Sequence, residues 1–202
     1  EYTALDKENC AAGNLWRQGD AMNAAIGQGI TAVSPLQLAM GYAALANGGT
    51  LYQPLLAKGV VSVDGEIIER IKPQVVAEQV ADADTLVFLT EALRGVTERG
   101  SGSVPFAGFP LDEVPVASKT GSAQVSGGKP STSWFASFAP ADEPRYAVVM
   151  MVTQGGTGSG TSGPSVRAIH EALFGIEGDT VDPSRSVLSG GVPQPRLPEV
   201  QP

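Results

Sequence analysis

The run Val114-Pro115-Val116-Ala117-Ser118-Lys119-Thr120-Gly121-Ser122-Ala123-Gln124 limits the fold more than any other stretch of the chain. A proline, two valines and a glycine in so short a span disfavour a helix and predict an extended segment, whose successive side chains point to opposite faces. Lys119 and Gly121 are then expected on one face and Thr120 and Ser122 on the other, with a local twist able to turn the lysine back toward the edge. Gly121 lets another backbone or a ligand come close. Such an edge suits an extended peptide ending in a carboxylate: main-chain groups add the peptide as a strand, while the ammonium and hydroxyls hold the anion.

The rest of the chain sets bounds on this reading. At 202 residues it is long enough for one domain with a sizeable core, and its 25 glycines and 15 prolines predict many turns. A net charge of −8 without any Lys/Arg cluster argues against nucleic acid as a partner. Cys10 is the single cysteine and His170 the single histidine, so neither an internal disulfide nor a zinc site is expected. No apolar run reaches the roughly 18 residues that span a bilayer, and no signal peptide opens the chain. The first residues, Glu1-Tyr2-Thr3, lack an initiator methionine, and the chain is expected to be a fragment of a longer protein.

Along the chain, residues 1 to 25 show no sustained period and read as loop, with Trp16 as the expected buried anchor. A Gly-flanked turn at Gly27-Gln28-Gly29 is expected to bring backbone close to a neighbour. Ser34 and Pro35 read as N-cap and first residue of a helix that Asn47-Gly48-Gly49 stops. Asp64-Gly65 between two valine- and isoleucine-rich segments predicts an exposed hairpin. Leu86, Leu89, Thr90, Leu93 and Val96 space a second helix over about 83–99, ended by Gly100. A polar loop from Ser126 to Ser133 precedes two strands, Trp134–Ala139 and Arg145–Val152, whose five-residue link favours an antiparallel pair. A Gly-rich link, Gly155 to Gly163, leads to a last helix at about 165–174. Residues 1–176 are expected to form the structured part, a portion of a domain that is incomplete without an upstream segment, and 177–202 a disordered Pro/Gly/Ser-rich tail.

Three further signals are weak. Gly158-Ser-Gly-Thr-Ser-Gly163 has the G-x-G-x-x-G form of a dinucleotide fingerprint, but no parallel strand follows its helix. Ser126-Gly-Gly-Lys129 has the S-x-x-K form of an acyltransferase nucleophile, yet two glycines followed by Pro130 cannot supply the helical turn that chemistry needs. His170 has no Ser or Asp that spacing would pair with it in a triad, and the default is a helix histidine, exposed or packed. S-x-N occurs nowhere.

Several segments together resemble the C-terminal part of the transpeptidase domain of class B penicillin-binding proteins. They are Ile26-Gly27-Gln28-Gly29, Ser34-Pro35-Leu36-Gln37-Leu38-Ala39, Ala44-Leu45-Ala46-Asn47-Gly48-Gly49, Lys119-Thr120-Gly121-Ser122-Ala123-Gln124, Trp134-Phe135 and Phe138-Ala139-Pro140, and they stand in family order. The Trp16 region and the Gly-Gln-Gly segment resemble the elongation type more than the septal type.

The resemblance implies an α+β, penicillin-recognising serine acyltransferase fold, an antiparallel sheet flanked by helices, and serine-type D,D-transpeptidase activity on peptidoglycan. By it, Lys119 supplies positive field at the cleft, and Ser122 gives a backbone oxyanion donor. Thr120, Gly121, Ser122 and Gln124 bind substrate, the two hydroxyls taking its carboxylate. No metal and no cofactor are implied. The implied partners are peptidoglycan stem peptides, β-lactams, an upstream segment or chain of the same protein and a membrane glycosyltransferase of the cell-wall machinery. The implied location is the extracytoplasmic face of the bacterial membrane, anchored through a missing N-terminal segment. Ser122 stands where the family usually has Thr, and Ser118 where it often has Gly. The family's nucleophile and base motifs are expected upstream of residue 1, so this chain is not expected to catalyse alone. A serine β-lactamase or D,D-carboxypeptidase of the same fold, and a binding module sensing β-lactam or muropeptide, remain as alternatives.

Overall fold

In the computed structural model, which describes residues 7, 13, 15–29, 31–125 and 127–177, the helix caps read from the sequence are formed. Ser34 Oγ accepts from the Gln37 N–H at 3.2 Å, and the Gln37 side chain accepts from the Ser34 N–H at 2.8 Å. This reciprocal box starts the helix Pro35–Ala46, here α2. Asp82 caps Ala83–Arg99 (α3), accepting from both the N–H and the hydroxyl of Thr85, bonds that hold its carboxyl below the usual carboxylate range. Gly100 ends that helix.

The loop reading of the first 25 residues is corrected at its described end. Gln18–Ala25 is a helix, α1, whose N-terminus Asp20 closes by accepting from the Arg17 N–H. None of its residues is buried, so it has no apolar stripe and no period to read. Trp16 is 60 % exposed and anchors nothing among the described residues. Cys10 and the tail beyond Glu177 lie outside the described residues.

Two small antiparallel ribbons follow α2. Leu51–Tyr52 (β1) pairs with Val75–Ala77 (β4), and Gly59–Val61 (β2) pairs with Ile67–Arg70 (β3) across the Asp64-Gly65 turn, where Gly65 has φ 84°. The hairpin strands bury no residue.

The core is built on a three-stranded antiparallel sheet in the order β5-β6-β7: Ala117–Ala123, Thr132–Ala139 and Tyr146–Val152. The register sets Lys119 opposite Ala136, Thr120 opposite Phe135, Gly121 opposite Trp134 and Phe135 opposite Met150. One face, carrying Val116, Phe135, Val148 and Met150, packs with Phe106 and Phe109 on Val166 and Phe174 of the last helix, Gly163–Phe174 (α4). The other face, carrying Ala117, Phe138 and Ala147, packs on Tyr42, Leu45 and Ala46 of α2 and Leu93 of α3. Phe106, Phe135 and Phe138 are wholly enclosed, each burial stabilising by about 1.5–3 kcal/mol. Burial in this second cluster's surroundings pushes the Tyr42 hydroxyl up to about 12. The fold is thus α+β, with helices on both faces of the sheet.

The sheet has two edges without a strand partner among the described residues, that of β5 and that of β7. No helix among the described residues is long and apolar enough to cross a membrane.

Candidate active site

The alternation along β5 separates its polar side chains as the sequence suggests. Ser118, Thr120 and Ser122 share the face of Phe135 and α4, while Lys119, Gly121 and Ala123 lie on the face of Trp134. The exposed Lys119 side chain curls to the strand edge, where Nζ donates to the Thr120 carbonyl at 2.9 Å. Thr120 Oγ1 and Ser101 Oγ lie 2.7 Å apart, Ser101 coming from the turn just after α3. Behind them a buried pair, Thr97 Oγ1 and Ser118 Oγ at 2.7 Å, ties the end of α3 to the strand.

Ser122 Oγ is held by the π-helical turn Gly158–Ser162 that precedes α4: the Gly158 N–H donates to it at 3.2 Å. That bond occupies an oxygen lone pair and leaves the hydroxyl proton available to an anion. A Cβ on Gly158 would collide with the Trp134 carbonyl oxygen and fall under 3 Å from both N and O of Gly121, so only glycine fits there.

Gln28 was not singled out by side chain, yet it completes the strand edge. Its Nε2 donates to the Ser122 carbonyl at 3.1 Å and its Oε1 accepts from the Gln124 N–H at 3.3 Å. Within a strand, the N–H and C=O of one residue point to the same edge and alternate from residue to residue. The Ser122 N–H therefore shares the open edge with its carbonyl. Gln124 offers its backbone there; its side chain has no hydrogen bond among the described residues. A groove of about 430 Å³ runs over the Gly121–Ala123 face, floored by Trp134 and Met151 and bordered by Gly27 and Thr31–Val33. The hydroxyls of Thr120 and Ser122 point to the opposite face, so the groove and the hydroxyls flank the same edge from two sides.

The weak signals form no sites. Gly158–Gly163 spends its polar groups within the fold: Thr157 Oγ1 accepts from the Gly160 N–H, Ser162 Oγ pairs with Ser133 Oγ at 2.7 Å, and the Gly158 N–H is taken by Ser122 Oγ. Gly127 and Gly128 have φ of 77° and 69°, which excludes a helical turn before Lys129; Ser126 lies outside the described residues. His170 is fully buried between Phe106 and Phe174, with Nε2 2.9 Å from Ser137 Oγ, and burial pulls its pKa down to about 4. It is a packed core histidine.

Residues 1–171 match the model of the penicillin binding protein transpeptidase domain. The chain belongs to that family. Among relatives of this transpeptidase-domain chain, the peptidoglycan D,D-transpeptidase MrdA of Salmonella typhimurium strain SL1344 is 26 % identical over 187 residues, 85 % of this chain and 30 % of MrdA. Among solved structures, penicillin-binding protein A from M. tuberculosis as an imipenem acyl-enzyme complex superposes with a TM-score of 0.63 at 28 % identity, covering 75 % of this chain and 33 % of that one. A peptidoglycan synthase complex described for the coordination of polymerization and crosslinking gives 0.68 at 28 % identity, covering 88 % and 29 %. The chain thus spans about a third of the length of these relatives.

Sequence reasoning missed three residues of this transpeptidase-domain edge. Gln28 and Ser101 reach β5 from 94 and 19 residues away, so no local pattern reveals the strand they bind. In the sequence Gly158 is only one residue of a glycine motif; its crowding is visible only in three dimensions.

Proposed function

We propose that this chain supplies the Lys-Thr-Gly wall of a peptidoglycan D,D-transpeptidase active site, of class B and closer to the elongation type than the septal type. The observation that carries this reading is the β5 edge, which has no partner strand among the described residues and on which the Ser122 N–H and C=O lie beside a lysine ammonium and two hydrogen-bonded hydroxyls. Lys119 provides positive field. The hydroxyls of Thr120 and Ser122 take the terminal carboxylate of the stem peptide, and Gly121 leaves room for its backbone. The Ser122 N–H stabilises the oxyanion that forms when a serine hydroxyl attacks the penultimate D-alanine carbonyl, a contribution of about 3–4 kcal/mol in comparable sites. The terminal D-alanine leaves as the free amino acid, and the amine of a neighbouring stem peptide then takes the acyl group, returning the serine.

The serine and its lysine base come from an upstream segment of the same protein. Two features support this. The chain holds no S-x-N, and its single S-x-x-K has no helical turn. In addition, β7 presents Tyr-Ala-Val-Val-Met-Met-Val to an edge without a partner strand, a surface suited to a strand contributed from outside the described residues. Docking there, the upstream segment completes sheet and site together. A membrane glycosyltransferase that makes the glycan strands is the fitting partner, and the extracytoplasmic membrane face the fitting location.

The test is acylation of the full-length protein by a fluorescent penicillin, with D-alanine release from a stem pentapeptide followed in parallel. A stable covalent adduct together with D-alanine release is expected. Rapid loss of the label would favour a β-lactamase, and labelling without D-alanine release a sensing module.

A further inference from the structure

Gln28 treats the β5 edge as a neighbouring strand would: one carboxamide donates to the carbonyl of residue 122 and accepts from the N–H of residue 124. The turn that delivers it is fixed. Gly27 and Gly29 adopt φ of 75° and 105°, the Gln28 N–H donates to the Asn23 carbonyl at 2.9 Å, and a Cβ on Gly29 would press on Asn23 Cβ at 3.2 Å. With the backbone placed by these contacts, the reach to the strand is made by the side chain alone.

A peptide adding antiparallel to β5 must use the group that Gln28 covers. In a hydrogen-bonded antiparallel pair, one residue exchanges both of its backbone bonds with a single residue opposite. The residue whose carbonyl oxygen rests on the Ser122 N–H therefore directs its own N–H to the Ser122 carbonyl. We propose that Gln28 is a displaceable strand mimic that occupies the Ser122 carbonyl until an extended acyl donor expels it, and so selectively slows reaction with donors that carry an N–H beside the reacting carbonyl. This rests on the transpeptidase reading above. Gln28 is a positioning residue; it touches neither the carboxylate nor the oxyanion.

Acylation rates of the full-length protein by two probes test it. A penicillin carries an acylamino N–H next to its β-lactam carbonyl; a carbapenem carries a hydroxyethyl group there and no N–H. In Gln28→Ala, penicillin acylation is expected to rise about threefold to tenfold, the span set by the net worth of one hydrogen bond, with carbapenem acylation changed less than about twofold. Gln28→Glu is a near-isosteric second variant. Its carboxylate can still accept from the Gln124 N–H but cannot donate to the Ser122 carbonyl, so it is expected to shift the ratio the same way. A ratio left at the wild-type value in both variants, whether the two rates hold or fall together, overturns the proposal. A fall confined to the penicillin also overturns it, since Gln28 would then assist the ligand. Wild-type protein that reacts with neither probe overturns the transpeptidase reading itself, and this proposal with it.

Discussion

The two edges of the β5-β6-β7 sheet are opposites. The β5 edge is polar, with Lys119 folded onto one of its carbonyls and Gln28 onto another, while the β7 edge is a run of seven apolar and aromatic residues, each half-buried. An exposed edge strand templates further pairing unless something blunts it. Side chains of this chain already blunt the β5 edge. Nothing among the described residues blunts the β7 edge. On the proposed function, the difference separates an edge reserved for a transient ligand from one that receives a permanent part of the fold.

The largest expected effect lies at β7. Since the Ser122 amide points outward, the register sends the N–H groups of Ala147, Val149 and Met151 away from β6. Val149→Pro then leaves the β6 ladder whole but denies an added strand its partner. In the full-length protein, cooperative unfolding and penicillin labelling are both expected to be lost, at about 1 kcal/mol for each forfeited ladder bond plus the strand packing that depended on them. Retention of the wild-type melting temperature would remove the fold-completing role of β7.

At the other edge, Lys119→Ala is expected to slow labelling about a hundredfold, as removal of one electrostatic stabiliser does elsewhere, with the melting temperature unchanged. Unaltered acylation would strip Lys119 of its role.

Between the edges, His170 contacts Ser137 of the middle strand. Its folded pKa of about 4 lies below the ordinary 6.5, so between these values the unfolded chain binds a proton that the folded chain refuses. The neutral, buried ring contributes fully above pH 6.5, and stability falls as the pH drops toward 4, by about 2 kcal/mol at pH 5. His170→Leu is expected to flatten that acid limb in denaturant titrations at pH 7 and pH 5. If the limb persists, another group carries it.

Smallest is Ser101→Ala, which removes the 2.7 Å contact to the Thr120 hydroxyl. A loss of about 1 kcal/mol, or roughly fivefold in labelling rate without a change in melting temperature, is expected. A drop in stability instead would make Ser101 part of the scaffold.

Much of this was legible in the residues. Ser34 with Pro35, Asp64-Gly65, and the leucine spacing over 83–99 signal local structure through local physics: a cap, a left-handed glycine, a period. The alternation of Lys119, Thr120, Gly121 and Ser122 between two faces followed from strand geometry alone. What stayed hidden had no local signature. Helix α1 buries nothing and so shows no stripe, and Trp16 stays exposed although its size suggests an anchor. The β1–β4 ribbon joins strands of two and three residues across more than twenty, too short for alternation to register. In the candidate site, the residues on the strand could be read, while those that hold it from outside could not: Gln28, Ser101 and Gly158. The two glycines around Gln28 were the one hint, marking a backbone that bends to deliver the side chain between them.

Serine at position 122 brings a rotor with it. A threonine's methyl narrows the rotation about χ1, whereas a serine hydroxyl swings among three wells of similar energy. The amide proton of Gly158 selects one of them from outside, so the loss of rotational freedom that an anion would otherwise impose on this hydroxyl has already been met when the chain folds. The stiffness that a branched side chain would carry within itself is supplied here by a neighbour with no side chain at all.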